Sequence, residues 1–121
     1  MTQKITVSET AYPDWPLAIL GASVVQGNPE GSGKITFQTG DKLVTGGIWG
    51  CSPGTFDLKF GWDEMAYLLE GELTIQHQDT GEQVHVKPRD FFFSPRGTQS
   101  RWVVKKPVKK VFFLRTSEPL G

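Results

Sequence analysis

The chain has 121 residues, and its 13 basic residues balance its 13 acidic ones. That length predicts one domain, which buries about two-thirds of the surface of the unfolded chain. Because the net charge is zero, we expect neither a nucleic acid nor an anionic membrane as the partner. No apolar run is long enough for a signal peptide or a membrane span, which favours the cytoplasm. The single cysteine, Cys51, is expected to be a buried, inert thiol.

The first part of the chain, residues 1–24, has no clear periodicity and is interpreted as an arm. Its apolar segment around residues 15–20 predicts contact with this barrel or with a partner subunit. Residues 25–116 then form the main domain, and residues 117–121 are a tail. The whole chain has 14 glycines and 8 prolines. Most of them fall in turn-like clusters between the short strand-like runs of the main domain.

These runs predict an all-β sandwich or barrel, and no window favours an amphipathic helix. In chain order the predicted strands are residues 34–38, 43–49, 56–62, 66–69, 72–78, 83–86, 91–94, 101–104 and 110–115. Residues 105–110, which contain two lysine pairs around Pro107, are interpreted as a hairpin with Lys110 at the start of the last strand.

The run that begins at Phe56 alternates between large apolar side chains and polar or small ones. The apolar members are Phe56, Leu58, Phe60 and Trp62. A period of two predicts a strand with one buried face. Glu64 has the same parity, so its carboxylate is expected to point inward, where it needs a partner because an unpaired buried charge is costly.

This stretch resembles the first motif of the cupin β-barrels, Gly-x5-His-x-His-x3/4-Glu-x6-Gly. Counting back from Gly71 places Glu64 at the metal-binding acid, and Leu58 and Phe60 at the two histidines. The second motif, Gly-x5-Pro-x-Gly-x2-His-x3-Asn, matches at Pro95-Arg96-Gly97 and has Ser100 at its histidine. The resemblance implies a double-stranded β-helix, the cupin or jelly-roll barrel.

Within the superfamily, residues 25–114 resemble the small single-domain cupins related to the cupin domain of ureidoglycine aminohydrolase and to ethanolamine-utilisation cupins. The first of these implies a divalent metal such as manganese and hydrolysis of a C–N bond. The candidate ligands here are Glu64, His77 and Gln99. Because Leu58, Phe60 and Ser100 cannot replace imidazole, we expect no conventional metal site.

The interior is predicted to be either a small cavity or a filled aromatic core. Glu64 is the best catalytic candidate and is expected to accept hydrogen bonds from Tyr67, Lys110 or Trp102. The predicted pocket comprises Leu58, Phe60, Trp62, Glu64, Tyr67, Gln99, Ser100, Trp102 and Lys110. Such a cavity suits an organic ligand with a cationic or hydrogen-bond-donating group.

Three functions remain open from the sequence. The first is a protein that binds a small organic molecule without a conventional metal. The second is an enzyme, either metal-dependent and of the ureidoglycine aminohydrolase type or one that uses Glu64 as an acid or base. The third is a structural module. A homodimer is expected because cupins commonly pair and because residues 15–20 need burial.

Overall fold

A computed structural model describes residues 2–7 and 12–120 of this chain, and almost all of its regular structure is antiparallel β-strand. The strands are β1 (Ser23–Gly27), β2 (Gly31–Gln38), β3 (Val44–Cys51), β4 (Gly54–Lys59), β5 (Asp63–His77), β6 (Gln83–Val86), β7 (Phe91–Ser94) and β8 (Gln99–Arg115). A 3₁₀ helix, Leu17–Leu20, precedes β1. Within the described ranges, no helix is long and apolar enough to cross a membrane.

The two longest strands, β5 and β8, connect the two layers of the barrel. They pair with each other from Asp63 opposite Arg115 to His77 opposite Ser100. In one layer β8 also pairs with β4 and β5 with β6, which gives the order β1-β4-β8-β5-β6. In the other layer the order is β2-β3-β8-β5-β7. This arrangement is a jelly-roll barrel and confirms the predicted fold class.

Both long strands bend where they pass from one layer to the other. The register of β5 against β8 shifts between Leu68 and Leu73, and Gly71 in that stretch has a φ of 94°. A side chain on Gly71 would overlap the backbone of Pro107, which lies inside β8. The predicted break at residues 70–71 and the predicted hairpin at 105–110 are therefore wrong. A bulge bends a strand without ending its ladder, and proline is tolerated at such an irregularity.

The inner face of β4 and the turn that follows it carry the predicted apolar side chains. Phe56, Leu58 and Phe60 are buried and belong to the main core, and Trp62 is half-buried against it. The strand itself ends at Lys59, earlier than predicted, yet the alternation continues through the following turn. The inward direction of these side chains is thus confirmed.

The arm packs on the barrel of its own chain. Trp15 donates its backbone N–H to the carbonyl of Gly31 at 2.8 Å, and Gly33 donates to the carbonyl of Pro13 at 2.9 Å. The arm thereby extends the edge of β2. Leu17 is buried in the core.

This placement answers the question that the sequence left open for the arm. Residues 12–22 lie against the same barrel, β1 begins at Ser23, and residues 1 and 8–11 of the predicted arm lie outside the described ranges. Leu17 is buried and Trp15 and Leu20 are partly buried against the same barrel, whereas Ile19 is 71% exposed, so this apolar segment is only partly covered within the chain. The tail is held as well, because Leu120 donates its N–H to the carbonyl of Lys42 at 3.0 Å; Gly121 is not described.

An ion pair between β4 and β8 makes stability depend on pH. Arg101 donates to both carboxylate oxygens of Asp57, at 2.8 and 3.1 Å. This hydrogen bonding holds the pKa of Asp57 below its usual value. A lowered folded-state pKa stabilises the protein above the unfolded pKa, about 3.9, and that stabilisation is lost as the pH falls through the folded-state pKa.

We expect Asp57→Asn to lower the free energy of unfolding at pH 7 by less than about 1 kcal/mol, because the pair is partly exposed. The loss should shrink at pH 3, which lies below the unfolded-state pKa, because the stabilisation from the lowered pKa of Asp57 decreases there. Urea unfolding at both pH values measures the difference. Glu72→Gln, which removes a looser pair with Lys106 at 3.8 Å, is the control. An equal loss at pH 7 and at pH 3 would contradict the assignment.

Candidate functional site in the barrel

The inner face of β5 presents one carboxylate to the barrel. Glu64 lies opposite Ser94 of β7 and Leu114 of β8, and it alternates with the exposed Met65. Its side chain is only 7% exposed. The inward direction predicted from its parity with Phe56 is confirmed.

Both oxygens of this carboxylate have a donor. Lys110 Nζ donates to Oε2 of Glu64, and Trp62 Nε1 donates to Oε1 at 2.9 Å. The Lys110 side chain is also 7% exposed, so both charges of the ion pair are removed from water. Of the three donors expected for Glu64, Lys110 is confirmed, whereas Trp102 donates to Ser100 and Tyr67 packs against Phe91 instead.

The ammonium of Lys110 is surrounded by aromatic rings on its other sides. Its Nζ lies 4.9 Å from the ring centroids of both Trp49 and Trp102, and 6.0 Å from that of Phe112. Ring faces attract a cation, and the attraction is stronger when the cation has lost its water. The aromatic cage and the carboxylate together compensate for the burial of the charge.

Trp102 is the centre of the aromatic core. Its ring stacks on Phe56 at 5.8 Å and meets Trp49 edge-on at 6.1 Å. Its Nε1 donates to Ser100 Oγ at 3.2 Å, and that hydroxyl lies near the carbonyl of Leu58 at 3.4 Å. Ser100, at the position of the third cupin histidine, therefore orients an aromatic ring and does not reach Glu64.

A small cavity of about 40 Å³ lies beside the ion pair. Six residues of the predicted pocket line it: Leu58, Phe60, Trp62, Glu64, Trp102 and Lys110. Its walls are mostly aromatic, so the structure combines a filled core with a small remaining space.

Three residues of the predicted pocket, and one candidate metal ligand, lie elsewhere. Tyr67 lies on the outer face of the sheet, where its ring packs against Phe91 at 5.2 Å. Ser100 is behind the cavity wall, and Gln99 and His77 line a separate surface cavity. Alternation along β5 and β8 directs Glu64 and Ser100 inward, and it therefore directs Tyr67 and Gln99 outward. The outward positions could thus have been predicted from the sequence.

Several walls of the cavity come from distant parts of the chain and were not predicted from the sequence. Trp15 and Leu20 reach the cavity from the arm, and Trp49 reaches it from β3, where it lies opposite Lys110. All four tryptophans of the chain therefore line the cavity. The indole N–H groups of Trp15 and Trp49 are buried and have no acceptor within the described part of the chain.

The residues at this site do not fit a divalent metal. Leu58 and Phe60 replace two histidine ligands with buried hydrocarbon, and the ammonium of Lys110 lies directly against the Glu64 carboxylate. A cation there repels a second one. Within residues 2–7 and 12–120, no three His, Cys, Asp or Glu side chains are grouped so that they could hold an ion. His77 and Gln99, the other candidate ligands, are not at this site.

The fold and the motif positions define a small cupin barrel with a modified interior. The EutQ-like cupin domain family matches residues 40–112, which is more than half of the chain. The chain therefore belongs to the EutQ-like cupin domain family. None of the curated proteins compared with it matches significantly.

Solved cupin structures share this fold. The EutQ protein of Clostridium difficile is 20% identical, with a TM-score of 0.66 over 74% of this chain and 71% of that one. A DUF861 family protein of Thermotoga maritima is 28% identical, with a TM-score of 0.52 over 67% of this chain and 97% of that one. An acetylacetone dioxygenase of Acinetobacter johnsonii is 9% identical, with a TM-score of 0.71 over 95% of this chain and 74% of that one.

We expect Glu64 and Lys110 to be strongly coupled in their contributions to the free energy of unfolding. Lys110→Met leaves the Glu64 charge buried without its cation and should lower the free energy of unfolding by about 3 to 5 kcal/mol. Adding Glu64→Gln removes that charge. The free energy of unfolding of the double variant should therefore fall by less than the sum of the decreases in the two single variants. Urea unfolding of the four proteins in this cycle measures the coupling.

The exposed pair of Lys106 and Glu72 provides the matched control. Lys106→Met should cost less than about 1 kcal/mol, because exposed pairs are screened by water. Equal losses for Lys110→Met and Lys106→Met would contradict the importance given to the buried pair.

Proposed function

We propose that this chain is a cupin that binds a small organic molecule in the barrel without a metal ion. The observation that carries the proposal is the position of Lys110. Its ammonium lies against Glu64, which stands at the metal-binding acid of the cupin motif that the sequence resembles, and an aromatic cavity lies next to the pair. The chain thus supplies its own cation and leaves the cavity for an uncharged guest.

The chemistry of the walls favours a ligand with a hydrogen-bond acceptor. The carboxylate and the ammonium cancel in charge, and both oxygens of Glu64 already have donors. Within the described part of the chain, two residues that line the cavity, Trp15 and Trp49, each have a buried indole N–H donor without an acceptor. Lys110 also has three N–H bonds, of which Glu64 takes one. A carbonyl or ether oxygen suits this site better than the cationic or donating group expected from the sequence.

The size of the cavity limits the ligand. A volume of 40 Å³ holds about one to three water molecules, so only a fragment of a few heavy atoms enters it without moving the walls. Typical ligand pockets enclose about 300 to 1,000 Å³. A larger ligand would have to displace Trp15 and Leu20, the two wall residues that the arm contributes.

The alternative of a metal-dependent hydrolase of the ureidoglycine aminohydrolase type rests on the resemblance, and the donor set at Glu64 argues against it. Glu64 remains the best catalytic candidate as the carboxylate that lines the cavity. Because both of its oxygens accept hydrogen bonds within the chain, a structural role for it is favoured over that of a general base.

Indole N–H resonances test the ligand class directly. In the ¹⁵N-labelled protein, acetamide should produce saturable shifts of the Trp15 and Trp49 indole signals, assigned with Trp15→Phe and Trp49→Phe. The affinity should be no tighter than tens of micromolar, since four heavy atoms contribute at most about 6 kcal/mol. Ethylammonium, a cation of similar size, should leave these signals in place.

Two variants serve as controls for this titration. Leu58→Phe adds bulk to the cavity wall and should abolish the shifts, whereas Val24→Phe, on the exposed β1, should not. Shifts with ethylammonium and none with acetamide would refute the proposed ligand chemistry. An absence of saturable shifts with either compound would count against ligand binding in the cavity as it stands.

The absence of a bound metal ion, which is part of this proposal, is tested by a separate measurement. Elemental analysis of protein purified without a metal-affinity tag should find manganese, iron, nickel and zinc each far below one atom per chain. Glu64→Gln should leave this background unchanged. Near-stoichiometric metal that is lost in Glu64→Gln would overturn the proposal and favour the metal-dependent enzyme.

A further inference from the structure

Four half-buried side chains mark where the cavity beside Glu64 approaches the surface. They are Trp15, Leu20, Trp62 and Leu114, whereas the other eight lining residues are buried. Trp62 is held by its hydrogen bond to Glu64, and Leu114 lies on β8 between two paired strands. Trp15 and Leu20 belong to the arm. One side of this mouth is therefore made by a segment outside the barrel strands.

The arm is joined to the barrel by few contacts. In residues 12–22, two backbone hydrogen bonds to β2 lie on either side of the bridge between Asp14 and Ser32. Of the 3₁₀ helix only Leu17 is buried. By contrast, β8 pairs with strands on both of its sides. A segment with few buried contacts opens at a lower free energy than a central strand.

A glycine lies where the arm enters β1. Gly21 has a φ of 78°, and no other described atom lies within 4 Å of a Cβ built on it. Apart from the bonds to β2, an opening about Gly21 breaks the 3.2 Å bond from Ala22 N–H to the carbonyl of Leu17. Small residues at the end of an element are suited to act as hinges.

Trp15 fits its place closely and yet leaves a donor unpaired. A Cβ on Gly33 would lie 2.8 Å from Trp15 Cε3, and the Trp15 ring meets Phe112 edge-on at 6.3 Å. Its indole N–H is buried and has no acceptor within residues 2–7 and 12–120. A buried donor without an acceptor costs free energy, which is recovered when the donor reaches water.

A second unpaired donor lies beneath the arm. A Cβ on Gly31 would lie 3.4 Å from Trp49 Nε1 and 3.3 Å from Leu17 Cδ2, so both face the same spot on β2. Trp49 itself lies on β3, which is paired with β2 and β8 and stays in place when the arm moves. Lifting the arm therefore uncovers the Trp49 indole N–H.

We propose that the arm, from Pro13 to Gly21, is a lid that opens for a neutral ligand in which an aromatic ring is joined to a carbonyl oxygen. The ring of the ligand takes the place of Trp15 against Phe112, and its oxygen accepts a hydrogen bond from Trp49. Trp15 is thus an internal competitor for the site. The inference rests on the proposed ligand binding and extends it to ligands larger than the closed cavity.

A reversible cross-link tests the lid. Asp14 and Ser32 form a non-hydrogen-bonded pair. The Cα atoms of such a pair are about 4.5 Å apart, a distance that a disulfide spans. Asp14→Cys with Ser32→Cys should lock the arm on β2 when oxidised and release it when reduced. The native Cys51 is buried, and burial raises its pKa to about 12, which keeps it out of thiol exchange.

Indole-3-acetamide is the probe, because it joins a ring of the size of Trp15 to an amide. Its binding is followed by the Trp49 indole resonance of the ¹⁵N-labelled protein. Oxidation of the double variant should weaken this binding by about tenfold or more, because the competent state is withdrawn. Acetamide, which enters the closed cavity, should bind both forms equally. The two single cysteine variants, treated with the same oxidant, should behave as the wild type.

Trp15→Ala distinguishes a competitor from a simple wall. A wall residue contributes a contact, so its truncation would weaken the binding of indole-3-acetamide. Truncation of a competitor vacates the site and should strengthen this binding by about tenfold. Ile19→Ala, at a 71% exposed position on the same 3₁₀ helix, should leave the affinity unchanged.

Hydrogen exchange measures the opening without any ligand. The amides of Trp15 and Gly33 donate the two bonds between the arm and β2. They should exchange together and at least about 100-fold faster than the slowest amides of β8.

The lid and the proposed function fail in different ways. Equal affinity of the oxidised and reduced forms for indole-3-acetamide, or binding to neither form, would overturn the lid. So would weaker binding to Trp15→Ala, or exchange at Trp15 and Gly33 as slow as in β8. If acetamide still binds in these cases, the proposed function stands. An absence of acetamide binding in every form would overturn the proposed function, whereas the exchange of Trp15 and Gly33 would still decide whether the arm opens.

Discussion

The buried ion pair of Glu64 and Lys110 is the constraint on which the barrel interior depends. Each charge would be costly alone in an apolar core, and together they still need further hydrogen bonds and polarisable neighbours. Trp62 supplies the second hydrogen bond to Glu64, and the rings of Trp49 and Trp102 flank the ammonium. The aromatic side chains therefore solvate the charge as well as fill the core.

The register of the two long strands makes this pairing possible. Lys110 lies opposite Leu68, and Glu64 lies opposite Leu114, so the two charged residues are not direct cross-strand neighbours. Between them on the inner face of β5 is Ala66, whose small side chain leaves space for the long lysine stem. A shift of one residue between β5 and β8 would turn one partner out of the core.

The same two strands serve both sides of the layer. Inward side chains of β5 and β8 form the ion pair, and their neighbours Met65 and Phe113 lie opposite each other on the exposed outer side. The cupin fold by itself does not decide what the interior does, since it is shared with an acetylacetone dioxygenase at 9% identity. The interior of this chain is defined by its own side chains, in which the ammonium of Lys110 lies against the Glu64 carboxylate.

The sequence by itself determined the fold class and the direction of the side chains near Glu64. The alternation from Phe56 and the spacing to Gly71 correctly placed Glu64 inside, because period-two alternation is a local property of a strand. Alternation did not select its partner, since Lys110 was expected only as one of three donors, with Tyr67 and Trp102. The same alternation predicts that Tyr67, three residues after Glu64, lies on the outer face of the sheet.

Only the tertiary structure decided the continuity of β5 and β8 and the walls of the cavity. At the bulges around Gly71 the buried parity of β5 changes, from Glu64 and Leu68 before the bend to Leu73 and Ile75 after it. Whether a glycine ends a strand or bends it depends on the strand paired alongside, which lies far away in the sequence. The contributions of Trp15 and Trp49 to the cavity depend on the same long-range pairing. So does the capture of the Glu64 carboxylate by Lys110, because local alternation fixes which face a side chain occupies but not which partner it meets there.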